Sequence, residues 1–223
     1  MSEWWTYRPV DFLMFAPRTY WRLFELQNAA WWPWQVPLGL LALCLAVGLW
    51  RGGPRTLRLG MAGLAIAWAF VAWSFLWQRY APINWAAAHL AWAFAAQALG
   101  LLALAASGAL RPSGSATRRR SGAALLLWAA LAHPALAWMF GRPWTQAEVI
   151  GLAPDPTVIA TLGALLCADA HARGARALLW AVRAGALATC LVSAATLTVM
   201  GSAQAGVLLA AALVMVVALW RTR

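Results

Sequence analysis

The chain has 223 residues, of which 64% are hydrophobic and only 10% charged, whereas soluble domains sit nearer half apolar and a quarter charged. All seventeen basic residues are arginine, against six acidic residues, but they stand singly or in small groups between apolar runs and leave no continuous basic face for reading nucleic acid. Apolar stretches of about 17 to 25 residues without strict alternation exclude β-barrel strands and indicate an all-α, polytopic transmembrane helix bundle.

Residues 1–30 are too polar for the centre of a bilayer. They carry Glu3 and Trp4-Trp5 in place of a basic region followed by an apolar core, so no secretory leader is visible. Asp11, Arg18, Arg22 and Glu25 share one helical face, while Phe12, Phe15, Trp21, Phe24 and Leu26 fill much of the rest. That pattern predicts an amphipathic helix, with Pro17 near its first turn, that lies flat at the interface or packs on the bundle's outer surface.

Residues 31–223 read as the bundle itself. The first span runs from about Pro33 to Trp50, with its prolines in the opening turns, and ends at Arg51-Gly52-Gly53-Pro54-Arg55. The second covers about Leu57 to Trp77 and the third about Trp85 to Leu110. A Gly/Ser-rich loop, Arg111 to Arg120, precedes the fourth, about Ser121 to Phe140. After the long break Gly141 to Pro156 comes a short fifth, about Thr157 to Ala172. The sixth is about Ala177 to Met200 and the last about Gln204 to Trp220. Seven spans are predicted, or six if the short fifth is re-entrant.

Arginine sets the orientation. Loops after spans one, three and five, with the C-terminus, hold eleven arginines; loops after two and four hold only Arg79 and Arg142. The arginine-rich side is read as cytoplasmic, which puts the N-terminus outside and the C-terminus on the cytoplasmic side. Trp31, Trp32, Trp34, Trp77, Trp85, Trp138 and Trp144 fall near the outer boundary, and Trp50 and Trp220 near the inner one, as amphipathic indoles prefer. Trp68, Trp73 and Trp92 lie deeper and read as packing residues. Gly60 with Ala67, and Ala88 with Ala91 and Ala95, would let helices approach closely.

Ionisable groups are kept within a bilayer only at a cost, so each is a candidate site. His89 and His133 sit at one depth, roughly 6 to 10 Å below the outer surface at ~1.5 Å per residue. Together they could ligate haem or a metal, although no HxxxH-like spacing supports it; separately, each would bond a neighbouring helix or interfacial water. Pro134 should bend the fourth helix and free a carbonyl. The Gly/Pro-rich break between Phe140 and Pro156 keeps apolar residues, so it is expected to fold back on the outer mouth. Within it Asp155 is placed to cap the fifth helix, a role favoured over substrate binding, and Glu148, without such a local task, is the better site residue. Arg79 and Asn84 on the other outer break could stand near it, with Arg79 pairing Glu148. Arg183 would snorkel to the inner surface or pair with Asp169 at comparable depth, and Gln97, in mid-span, needs a partner and could line a cavity or bridge helices. Cys44, Cys167 and Cys190 form no CxxC pair and read as small packing residues.

There is no P-loop, GxSxG, HExxH or dinucleotide fingerprint, and no lysine for a retinal Schiff base. No catalytic residue and no cofactor is predicted, and an enzyme is not the favoured reading. Three stretches carry a resemblance: Asp11-Phe-Leu-Met-Phe-Ala-Pro-Arg-Thr-Tyr, Tyr80-Ala-Pro-Ile-Asn-Trp-Ala-Ala, and Gly151-Leu-Ala-Pro-Asp-Pro-Thr with Thr161-Leu-Gly. They resemble a bacterial family of small integral membrane proteins known only as a domain of unknown function, some of whose members bear a permease label. The resemblance implies a bacterial membrane location and carries over no site residue. A small-solute or ion transporter or channel with an outward-facing polar site is the first expectation. The alternatives are a non-catalytic membrane subunit that docks a protein partner at the outer face, and a haem or metal protein built on His89 and His133. The lipid bilayer is the partner common to all three.

Overall fold

In the computed structural model, which describes residues 14–221, the chain is helical almost throughout. Asp11, Phe12 and the tryptophan pair at the start lie outside the described residues, as does Arg223. The elements are α1 (Pro17–Ala30), α2 (Gln35–Trp50), α3 (Pro54–Val71), α4 (Ala86–Ala106), α5 (Ala116–Leu127), α6 (His133–Met139), α7 (Pro154–Leu166), α8 (Arg173–Val199) and α9 (Ala205–Trp220). Two three-residue strands, β1 (Leu110–Pro112) and β2 (Ala168–Ala170), pair antiparallel.

Local chemistry explains where these helices begin and stop. Proline opens α1, α3 and α7, where an amide donor would have no intrahelical partner. The Ser115 hydroxyl caps α5 by accepting from the Arg118 amide at 3.3 Å. Gly141 and Gly201, at φ 72° and 71°, follow the ends of α6 and α8 in the left-handed turn that glycine adopts without strain. Two helices widen into π turns: α3 continues as Ala72–Tyr80, and α5 passes through Trp128–Ala132 into α6. The second widening stands just before Pro134, whose missing amide breaks the regular ladder as its position predicts.

Around α7 the other helices close a ring in the order α2, α3, α4, α8, α9, α5, each packed on the next. Every residue of α7 is buried, mainly against α3, α5, α8 and α9. The closest approach is to α5, at Gly122 and Gly163. Gln97 finds its partner by bridging the ring, donating to the Val182 carbonyl of α8 at 2.8 Å. Trp68, fully buried, donates from Nε1 to Thr161 Oγ1 at 2.7 Å, tying α3 to α7.

Among the described residues four helices are long and apolar enough to cross a membrane, namely Pro54–Tyr80, Ala86–Ala106, Ala116–Met139 and Arg173–Val199. The pair α1 and α2, bent by 94°, would make a fifth if taken as one span. The seven predicted spans are therefore not matched by seven long apolar helices. α9 is apolar but has 16 residues, and α7, at 13 residues, rises only about 20 Å.

The first helix docks on the bundle through Tyr20, Leu23, Phe24 and Gln27, while Arg22 and Glu25 pair on its outer side. Of the tryptophans expected at the boundaries, Trp32, Trp34, Trp50, Trp77, Trp85, Trp138, Trp144 and Trp220 are all exposed. Trp73 and Trp92, expected to pack inside, are exposed as well. They sit on the ring's outer surface, alongside Leu59, Ile66, Leu99 and Leu213.

Candidate functional site

The break between α6 and α7 turns inward, and Ala147 to Ala153 are buried. α1 holds it there. Gln27 Nε2 donates both to the Ser74 hydroxyl at 2.8 Å and to the Leu152 carbonyl at 3.1 Å. Asn28 Nδ2 donates to the carbonyls of Thr145 and Ala147 at 2.9 and 2.7 Å. The backbone of a buried loop must be satisfied by something, and here amide side chains of α1 do it.

Inside the loop Glu148 is buried and surrounded by donors. Gln204 Nε2 donates to its Oε1 at 2.5 Å, Arg142 Nη2 lies 3.4 Å from the same oxygen, and His133 Nε2 lies 3.5 Å from Oε2. Arg142 also donates to Gln204 Oε1 at 2.6 Å and stacks on the Trp21 ring at 3.6 Å. Taking the Glu148 carboxyl out of water is costly, and the His133 ring, the Arg142 guanidinium and Gln204 offset that cost. This quartet is saturated, apart from His133 Nδ1, which is buried without a partner.

Asp155 differs. It is the second residue of α7 and makes no cap; Thr157 ties the helix to the loop before it, accepting from the Gly151 amide at 2.8 Å and donating to the Ala153 carbonyl at 2.7 Å. The Asp155 carboxylate instead accepts from the Ser193 hydroxyl of α8, while its second oxygen, Oδ2, is buried with no partner. It lines a cavity of about 110 Å³ shared with Tyr20, Tyr80, Asn84, Thr189 and Ser193. Asn84 Nδ2 donates to the Tyr80 hydroxyl at 3.1 Å, and the Tyr20 and Tyr80 rings meet edge to face at 5.4 Å. Burial holds the Tyr20 phenol well above its ordinary range, so it is a neutral hydroxyl. Leu76, Leu90 and Phe94 also line the cavity, and Phe94 packs on the buried Trp68 at 4.1 Å.

The other expected groups fall elsewhere. Arg79 does not reach Glu148; it donates to the Ser74 carbonyl at 2.6 Å, and Arg142 is the guanidinium at the carboxylate. His89 is exposed on α4 against Trp85, at 5.5 Å between rings, whereas His133 is enclosed with Glu148. Among the described residues no group of three or more His, Cys, Asp or Glu could hold a metal ion. Asp169 pairs with Arg118 at 2.8 Å, and Arg183 instead donates to the carbonyls of Leu165 and Ala168.

A family model described as a family of unknown function (DUF6064) matches residues 18–223. The chain belongs to that family. No curated protein and no solved structure matches it. In this DUF6064 member the three stretches that carried the resemblance meet at one place: Tyr20 ends the first, Tyr80 and Asn84 lie in the second, and Asp155 in the third. Reading the sequence missed Tyr20, Tyr80, Ser193, Arg142 and Gln204. Tyrosine was the available signal, because the chain has 3 against 17 tryptophans, and a phenol brings a hydroxyl that an indole does not.

Proposed function

We propose that the chain is a multi-pass protein of the bacterial inner membrane that takes a small cation or small polar solute at the cavity beside Asp155, as a transporter opening outward. The carrying observation is the buried Asp155 carboxylate with one oxygen left unpartnered. Removing such a group from water costs several kcal/mol unless a counter-charge or proton meets it. The cavity is lined by the oxygen-bearing residues Tyr20, Tyr80, Asn84, Thr189 and Ser193, whose hard, neutral oxygens suit a small cation. Its volume of about 110 Å³ suits an ion with little of its hydration, or a solute of a few heavy atoms. Phe94 and Trp68 close the way inward, so passage would need the lining helices to move; the π turn Ala72–Tyr80 beside the cavity is a suitable place for it.

This reading gives the chain seven passes, the N-terminus outside and the arginine-rich β1–β2 end cytoplasmic. The fifth pass is made by the buried loop 147–153, α7 and β2 in series. A pass enclosed by protein has no need of a lipid-length helix, because irregular backbone is tolerated where neighbouring helices cover it. The outward faces rich in leucine, isoleucine and tryptophan support a lipid surround.

The test is thermal unfolding of the purified protein in choline chloride against sodium, potassium, lithium and methylammonium chlorides, followed by flux in proteoliposomes. One cation is expected to stabilise the wild type saturably and to move down its gradient, and Asp155→Asn is expected to lose both. No cation-specific stabilisation and no flux, or an Asp155→Asn protein indistinguishable from wild type, would refute it.

A further inference from the structure

A second polar cavity lies at the opposite end of α7. It has a volume of about 240 Å³ and is lined by Arg111, Arg118, Arg176, Arg183, Asp169 and Trp180. The β1–β2 register sets Arg111 directly opposite Asp169, and Arg118 Nη1 donates to that carboxylate at 2.8 Å. Four arginines thus line the cavity that holds this one carboxylate. Arg118 and Arg183 are partly committed to closing the end of α7: Arg118 donates to the carbonyls of Leu166 and Ala168 at 3.1 and 2.7 Å, and Arg183 to those of Leu165 and Ala168 at 3.0 and 2.6 Å. Yet Arg183, only 4% exposed, keeps a buried Nε with no partner. Arg111 and Arg176 are exposed at the rim, and within the described residues neither side chain has a hydrogen bond or ion pair.

We infer that this pocket binds a phosphate group. Among the described residues the local charge is strongly positive with one carboxylate already engaged, so the vacant donors call for an anion. Guanidinium forks match the oxygens of a phosphate, and several converging on one centre favour it over a carboxylate with fewer acceptors. The first turn of α8, which contains Arg176, adds the positive end of a 27-residue helix. Two sources present this chemistry at such a place: the headgroup of an anionic phospholipid and free phosphate in solution. The site is separate from the Asp155 cavity, and its test does not depend on what that cavity binds.

The experiment is thermal unfolding of the detergent-solubilised full chain in phosphate-free buffer. It is titrated with dioctanoyl phosphatidylglycerol, with zwitterionic dioctanoyl phosphatidylcholine, with inorganic phosphate, and with potassium chloride at matched ionic strength. Wild type is compared with Arg111→Gln/Arg176→Gln, which leaves the helix-closing arginines in place. Saturable stabilisation by phosphatidylglycerol alone assigns the site to a lipid headgroup; saturable stabilisation by phosphate beyond chloride assigns it to free phosphate. In either case the double variant should need at least about tenfold more ligand for half-saturation. Stabilisation no greater than that of chloride or phosphatidylcholine, or equal half-saturation in the double variant, would overturn the inference.

Discussion

Gly122 of α5 and Gly163 of α7 face each other so closely that a Cβ built on Gly122 would lie 2.4 Å from the Gly163 carbonyl oxygen, and one on Gly163 would lie 2.5 Å from that of Gly122. Both atoms met are backbone, so nothing can rotate away. This contact seats the central helix in its ring.

Gly163→Ala should therefore destabilise the protein by about 1 to 3 kcal/mol, the range for overpacking a tight core. Gly63→Ala is the control: a Cβ there meets nothing within 4 Å, and alanine in a helix interior should be neutral or stabilising by up to about 1 kcal/mol. Thermal unfolding in one detergent should separate the two variants in opposite directions.

Glu148→Ala should be among the most damaging single changes in the outer half, by about 3 to 5 kcal/mol, because it strands the half-buried Arg142 guanidinium. Glu148→Gln keeps the shape and should lose less. Thermal unfolding in one detergent should rank wild type above Glu148→Gln and Glu148→Gln above Glu148→Ala; a Glu148→Ala protein as stable as wild type would show that the carboxylate contributes nothing.

Gln27→Leu should loosen the outer loop without unfolding the ring. One amide group of Gln27 serves both Ser74 and the Leu152 carbonyl, so a leucine leaves a buried backbone acceptor unmet at about 1 to 3 kcal/mol. Hydrogen exchange should accelerate in α1 and in residues 147–153 while α4 and α8 keep their protection. Uniform acceleration would place the linchpin elsewhere.

Thr117→Cys and Trp144→Cys, each in a Cys44→Ala background, should be labelled by an impermeant maleimide from opposite faces of a membrane. Cys167 and Cys190 are buried and should not react. Labelling of both positions from one side would dismantle the seven-pass reading and the orientation drawn from the arginines.

Much of the helix order was legible beforehand. Apolar run lengths locate α2, α3, α4, α8 and α9, and Pro134 foretells the break between α5 and α6. The special status of α7 was not, since a helix wrapped in protein and one wrapped in lipid select the same side chains. Its shortness was the only hint. Trp73 and Trp92 were misjudged for the same reason, because depth along a helix does not reveal which way its face points.

The candidate sites divide in the same way. Glu148 was favoured over Asp155 as the site residue because it has no local task, yet it is enclosed by Gln204, Arg142 and His133; Asp155, expected to cap α7, bonds Ser193 of α8 and lines the cavity, and no local pattern reveals either set of partners.

Composition and the spacing of arginines determined by themselves that this is an all-helical chain of long apolar segments, because those properties are sums over neighbouring residues. Only the tertiary structure decided which polar groups meet. Glu148 and Gln204 are 56 residues apart, and Ser193 and Asp155 are 38 apart. Such pairs are brought together by the way the ring closes on α7, which depends on a glycine contact and on buried backbone acceptors that no single segment encodes.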